Sequence, residues 1–273
     1  MKIVVIGGTG LIGSKIVAKL LASGLEAVGA SRSSGVDTTT GIGLGDVLAR
    51  ASVVVDVSNP PTFDGAAAQE FFETSTRNLL EAEGKAGVRH HVALSVVGTD
   101  RLSESGYLSA KFAQQKLIED NSIPYSIVRA TQFFESIHKL AGLATDGAAV
   151  RVPPVLVQPI AGDDVASMLC NVSVGSPLNS TIEVAGPEQF RFDELMRRRL
   201  MARHDTREVV TDARARFFGA EVDDRTLLPG AGAHLAATRF EDWLARSMER
   251  AYATLRPPSP DAGMDYYGAA PTN

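Results

Sequence analysis

Apolar residues recur along this chain with two alternating periods, and the alternation predicts a layered fold. Ile3, Val4, Val5 and Ile6 form a short β-branched run that stops at glycines, and from Leu11 onward Ile12, Ile16, Leu20 and Leu21 recur at helical spacing. The reading is strand, tight turn, helix. Short apolar runs return at 27–30, 53–57, 91–95 and 125–128, and helical patterns fill 66–86 and 107–121 between the later ones. Strands and helices in this order build an α/β doubly wound parallel sheet, with right-handed crossovers and helices on both faces.

One connection is short. Between Arg32 and a helix expected at 45–51, only residues 35–38 have room to extend, so a crossover helix is reduced to a loop. Val36 and Asp37 are expected to form a stunted third strand at the sheet edge. Past Thr145 the pattern breaks at Val152, Pro153, Pro154 and Pro159, and a helix then runs from Asp163 to about Val172. Asp163 and Asp164 suit its first turn, where unpaired backbone N–H groups attract carboxylates. A last strand is read at 181–184. After Phe192 helices alternate with loops, and an amphipathic helix beginning FEDWL at 240–244 is expected to close a smaller C-terminal lobe. The tail at 256–273, rich in Pro, Gly and Ala, is expected to be flexible.

With 44% hydrophobic and 22% charged residues, the 273-residue chain can bury a core. Its net charge of −5 argues against nucleic acid as a partner. The run Arg197, Arg198, Arg199, opposite Leu195, Met196 and Leu200, reads as a solvated helix face. Cys170 is the sole cysteine, so neither an internal disulfide nor a thiolate metal cluster can form, and a cytoplasmic setting is expected. The apolar run at 3–6 is shorter than a signal-peptide core or a membrane span, so neither targeting segment nor membrane partner is expected.

The glycines carry the first chemistry. Gly8, Gly10 and Gly13 satisfy G-x-G-x-x-G, and Gly7 adds the G-x-x-G-x-x-G form, directly after the first strand and at the opening of the first helix. There, backbone N–H groups and the helix dipole can hold a pyrophosphate, and Thr9, Leu11 and Ile12 belong to the same cradle. A side chain at Gly8 or Gly10 is expected to hold the phosphate off, while Gly13 lets helix and strand pack closely. Where NAD-specific sites place an acid, this chain reads Ala30, Ser31, Arg32, Ser33, Ser34. A guanidinium flanked by hydroxyls suits a 2′-phosphate, which favours NADP, with NAD admitted if Arg32 is only a solvated loop residue. Asp37 is expected beside the adenine amine. Ser58 and Asn59, after the third run, are placed on the nicotinamide side.

GGTGLIG (7–13), VVVDVSN (53–59), ALS (93–95), YLSAK (107–111), IVRATQFFE (127–135) and PIAGDDVA (159–166) resemble the short-chain dehydrogenase/reductase superfamily, in particular its atypical NmrA-like branch. The likeness extends to about Gly186. It implies a Rossmann-type NAD(P)-binding domain at 1–150, with 159–186 returning to its sheet and 151–158 and 187–255 forming the substrate lobe. It also implies that Ser95, Tyr107 and Lys111 stand where that superfamily places its catalytic Ser, Tyr and Lys. Spacing of i, i+4 sets Tyr107 and Lys111 on one helix face. Lys111 would then hold the nicotinamide ribose and draw the phenol from about 10 toward neutrality. Tyr107 would protonate a carbonyl oxygen that Ser95 orients.

Gln132, Phe133, Phe134 and His138 are expected to wall a pocket for an apolar or aromatic carbonyl compound or a quinone, with core packing the alternative for Phe133 or Phe134. His90 and His91 are read as structural residues ahead of a strand, and no His, Asp and Glu spacing suggests a metal. The functions left open are an NADPH-dependent reductase of a small carbonyl or quinone compound, a non-catalytic NAD(P) redox sensor, and an epimerase or dehydratase using bound cofactor. Oligomeric state is not legible.

Overall fold

The computed structural model describes residues 1–255, so the tail expectation for 256–273 lies outside the described residues. The chain divides into a compact unit of residues 1–240 and a second of 241–273, whose described part is helical. The first unit begins β1 (Lys2–Ile6), α1 (Leu11–Ala22), β2 (Glu26–Ala30), α2 (Leu44–Leu48), β3 (Ala51–Asp56), α3 (Gly65–Ala86), β4 (His90–Val96), α4 (Gly106–Glu119), β5 (Tyr125–Ala130) and α5 (Ile137–Leu143). It continues with β6 (Thr145–Asp146), β7 (Ala149–Val152), β8 (Leu156–Val157), α6 (Gly162–Val174), β9 (Ser180–Ala185), β10 (Phe190–Arg191), α7 (Phe192–Met201), β11 (Glu208–Thr211) and β12 (His234–Leu235), and α8 (Phe240–Leu255) follows.

Seven strands form one all-parallel sheet in the order β12-β9-β5-β4-β3-β1-β2. Alternate residues of the central strands point to opposite faces. Ile3, Val5, Val53, Val55 and Val92 pack on Ile12, Ile16 and Leu20 of α1 and on Val165 and Leu169 of α6. Val4, Ile6 and Val54 meet Leu44 and Leu48 of α2 and Leu79 of α3, and Ala93 and Ile127 meet Leu80 and Ile118 beneath α3 and α4. Burial on both faces is why these strands read as continuous apolar runs rather than as alternating ones.

Helices α3 and α4 start in contact. A Cβ on Gly65 would lie 2.9 Å from the Gly106 Cα, and one on Gly106 would lie 2.6 Å from the Gly65 Cα. Each helix is capped beside this crossing, α3 by Asp64 accepting from the Ala67 N–H (3.0 Å) and α4 by Ser105 accepting from the Leu108 N–H (3.2 Å).

Several expectations change. Val36 and Asp37 form no third strand: β2 is the edge, and residues 32–38 fold into a loop opened by a short 3-10 turn. The Val36 N–H is used by the Ser31 carbonyl (3.0 Å) and the Asp37 N–H by that of Ile42 (2.9 Å), which leaves neither for pairing with β2. The helix expected at 45–51 ends at Leu48, because Ala51 pairs with Lys2 to open β3. His90 and His91 lie inside β4 and are buried. The arginine run is not one solvated face, since Arg199 is buried while Arg197 bonds Asp193 (3.0 Å).

Asp163 and Asp164 do occupy the first turn of α6, and Asp163 meets Lys15 at 3.1 Å. Beyond β5 lie a three-stranded sheet β11-β7-β6 and the pair β10-β8. Strand β12, from the stretch assigned to the lobe, joins the main sheet beside β9.

Candidate functional site

A cleft of about 770 Å³ lies over the carboxyl ends of β1 to β5, the position at which open parallel sheets bind ligands. Its floor is the turn between β1 and α1. The first bond within α1 runs from the Ser14 N–H to the Gly10 carbonyl (3.0 Å), so the amides of Leu11, Ile12 and Gly13 precede the ladder. No side chain caps this end and no acid sits in its first turn. The result is a row of donors at the positive end of a helix dipole, facing the cleft.

The glycines divide the work differently from expectation. Gly10 fronts the cleft, and a Cβ there would approach only the Gly7 carbonyl oxygen, at 3.2 Å. Gly8 does not line the cleft: a Cβ on it would lie 2.4 Å from the Gly29 Cα, so its constraint is packing against β2 rather than clearance for phosphate. A Cβ on Gly13 would lie 2.2 Å from the Gly7 carbonyl oxygen, which fixes helix against turn. Gly7 itself adopts φ +78°, a left-handed conformation that favours glycine. Thr9, Leu11 and Ile12 line the cleft with Gly7, Gly10 and Gly13.

At one end stand Ser31, Arg32, Ser33, Val36 and Thr38. The Ser31 and Ser33 hydroxyls are 2.8 Å apart, and the Arg32 side chain is 60% exposed with its Nε 3.9 Å from Asp37. Asp37 is off the cleft wall, contrary to its expected place beside an adenine. Its carboxylate accepts from the Thr39 hydroxyl (2.6 Å) and the Thr39 N–H (2.8 Å), which hold its pKa below the usual carboxylate value, Arg32 contributing less.

At the other end the structure brings Ser58, Asn59, Ser95, Tyr107 and Lys111 to the same wall. Tyr107 is 8% exposed and donates its hydroxyl hydrogen to the Asn59 Oδ1 (2.8 Å). Phe63 meets its ring edge-on with centroids 4.9 Å apart, and the Phe218 ring lies nearly parallel to it at 5.3 Å. Burial pushes the phenol up to about 12, with the Asn59 bond opposing. The expected shift toward neutrality is therefore reversed. Lys111 does not touch the phenol in this structure: its ammonium lies 4.4 Å from the centre of the Phe72 ring. Its own burial draws it down to about 8 against the attraction of Asp56. Asp56 is fixed by the Ser58 N–H (2.9 Å) and the Gln114 amide (2.8 Å).

Ser95 accepts from the Gln115 amide (2.6 Å), which also donates to Thr99 (2.9 Å). Gln115 in turn accepts from Arg129 at 3.0 and 2.8 Å. Gln115 stands four residues after Lys111, the spacing by which it was legible and missed.

Gln132 and Phe133 line the cleft, but Phe134 is fully buried and packs on Phe240 with ring centroids 5.3 Å apart. It belongs to the core, as the alternative reading allowed. His138 is turned away from the cleft toward Asp205 (3.8 Å), and burial followed by the positive charge of Arg203 lowers its pKa. The wall is supplied instead by Ser136, just before α5, by Lys139, Leu140 and Leu143 along that helix, and by Phe63, Phe217 and Phe218. Glu135, also on the wall, accepts from the Gly162 N–H at 3.1 and 3.2 Å.

Phe218 (φ +48°) and Gly219 (φ +85°) form the centre of a turn closed by bonds in both directions between Phe217 and Ala220 (2.9 and 3.1 Å). This is the type I′ pattern, in which phenylalanine is strained by about 1 kcal/mol. Among the described residues, no group of three or more His, Cys, Asp or Glu is arranged to hold a metal, and no helix is long and apolar enough to cross a membrane.

No protein-family model matches the chain. It is 26% identical over 224 residues to a divinyl chlorophyllide a 8-vinyl-reductase, chloroplastic, of Cucumis sativus, covering 68% of this chain and 52% of that protein. The chain thus spans about half the length of that curated relative. Among solved structures, a dTDP-4-dehydrorhamnose reductase of Bacillus anthracis in complex with NADP superposes with a TM-score of 0.68 at 15% identity, covering 91% of this chain and 99% of that one. A UDP-glucose 4-epimerase of Thermus thermophilus in complex with NAD superposes with a TM-score of 0.65 at 18% identity, covering 84% and 92%. At such identities the likeness establishes architecture, and the chain has the doubly wound, Rossmann-type fold.

Proposed function

We propose that the chain is an NADPH-dependent reductase of a small carbonyl or quinone compound. The observation that carries this reading is the uncapped start of α1, whose free amides open on the cleft that holds Tyr107 and Lys111 at its far end. The residues fit a dinucleotide: Gly10 leaves room at the amides for a pyrophosphate, and Ser31, Arg32 and Ser33 offer donors and a positive charge to a 2′-phosphate. The named relative is a reductase, and solved neighbours of the same fold carry NADP or NAD.

When bound, the nicotinamide supplies hydride to the substrate carbon. Tyr107, held protonated by its burial, gives its hydroxyl proton to the substrate oxygen and is reprotonated from solvent. Lys111 holds the nicotinamide ribose, and its positive charge eases the transient phenolate. Ser95, fixed by Gln115, orients the carbonyl. Phe63 and Phe218 shield the phenol from water while the proton passes to the substrate, and reprotonation follows once the product has left. The same reading places the chain in the NmrA-like branch, gives 151–158 and 187–255, apart from β12, the substrate lobe, and sets the protein in the cytoplasm.

The test is NADPH consumption against a panel of ketones and quinones, beside calorimetry with NADPH and NADH. Absence of heat with either nucleotide rules the reading out. A non-catalytic NAD(P) sensor is the second reading. It is favoured by Tyr107 spending its hydroxyl proton on Asn59. Tight nucleotide binding with no turnover on the panel selects it.

A further inference from the structure

Around Tyr107 the cleft wall carries a cluster of packed aromatic rings with an exposed cation beside it. Phe63 stands edge-on both to Tyr107 and to Phe218, with centroids 4.9 and 5.3 Å away. The ammonium of Lys139, on α5, lies 4.6 Å from the centre of the Phe63 ring. Lys139 is exposed and lines the cleft, and among the described residues no carboxylate pairs with it. The acid nearest in sequence, Glu135, is committed to the Gly162 N–H. A cation resting over the ring of Phe63, which itself packs on Tyr107, keeps hydrogen-bond donors free for an incoming anion. Phe218 is held beside it in a left-handed conformation, and strain of this kind persists where surrounding structure fixes a side chain for use.

We propose that the substrate is a flat, conjugated carbonyl or quinone compound bearing a carboxylate, with the ring against Phe63 and Phe218 and the carboxylate on Lys139. A single ammonium balances a single negative charge, which favours a carboxylate over a phosphate ester. The aromatic walls select a ring over an aliphatic chain. This assignment rests on the reductase reading for the direction of the reducible group toward Tyr107. The grip of Lys139 on the acid does not depend on turnover.

The test uses anthraquinone-2-carboxylate and its methyl ester, titrated calorimetrically into the full chain saturated with NADP. The acid is expected to bind about tenfold more tightly than the ester, the scale of one hydrogen bond to a charged group. Lys139→Gln should bring the acid to the level of the ester and leave NADPH affinity unchanged. Added salt should weaken the acid alone. Phe218→Ala should weaken acid and ester alike.

Equal affinities, no binding of either probe, or a preference that survives Lys139→Gln overturns the assignment. So does a loss of NADPH affinity in Lys139→Gln with acid binding intact, because the ammonium would then serve the nucleotide. A preference for the acid, with no NADPH oxidation by any member of the ketone and quinone panel, supports the carboxylate site and removes the reductase reading. Oxidation with equal affinities does the reverse.

Discussion

Tyr107 and Asn59 are joined by a 2.8 Å hydrogen bond that crosses from α4 to the loop after β3, and the tyrosine is its donor. A substrate oxygen must take the place of the asparagine oxygen to receive that proton. Tyr107→Phe is therefore expected to lower kcat for ketones by at least about a hundredfold, the usual scale of a general acid, with NADPH affinity unchanged. Steady-state kinetics and calorimetry on the same preparation check this. Undiminished ketone turnover would remove Tyr107 from the mechanism.

Gly10 and Gly13 should respond differently to substitution. Gly10→Asp sets a carboxylate at the mouth of the free amides and is expected to abolish nucleotide binding while the melting temperature stays close to that of the parent. Gly13→Ala forces a methyl group to within 2.2 Å of the Gly7 carbonyl oxygen and is expected to destabilise the fold by about 1 to 3 kcal/mol. Thermal unfolding and calorimetry separate the two effects.

Arg32 is the charge that distinguishes the two nucleotides. Arg32→Glu is expected to weaken NADPH by about a hundredfold, the scale of losing a charged hydrogen bond and gaining a repulsion, with little change for NADH. A parallel fall for both nucleotides would mean that Arg32 serves something common to them.

Stability should fall in acid through His90. The ring is buried, 2.9 Å from the Ser126 hydroxyl, and burial, then the neighbouring His91, lower it from 6.5 to about 4. Between those values the unfolded chain takes up a proton that the folded chain refuses. The His90 contribution is complete above 6.5 and declines by about 1.4 kcal/mol per pH unit as pH drops toward 4. In His90→Gln the denaturant-derived stability should decline less steeply over that window. Coincident slopes would reject the assignment.

The sheet was legible because its strands are buried on both faces and its helices keep strict apolar spacing, so even approximate limits located β1, β3, β4, β5 and α6. The glycine turn was legible for the same reason, being read together with the strand before it and the helix after it. Asp37 and Phe134 were misplaced for one shared cause: each sits in an irregular segment, where the direction of a side chain depends on which backbone bonds the loop closes, as Thr39 closes around Asp37 and Ile160 receives the Phe134 N–H at 3.0 Å. His138 lies on α5, and the helix turns it toward Asp205 while its neighbour Lys139 faces the cleft. The Tyr107 pKa was misjudged because Phe63 and Phe218 come from segments distant in sequence. Only the folded chain brings them to the phenol.

The crossing of α3 and α4 at Gly65 and Gly106 bears on all of this chemistry. Gly106 immediately precedes Tyr107, and Gly65 follows the loop that carries Asn59 and Phe63. The donor and its acceptor are thus registered by two positions that have no side chain, as a hinge pin aligns two plates it does not touch. A methyl group at either one would spread the plates, and the acid would lose its aim while every reactive atom stayed in the chain.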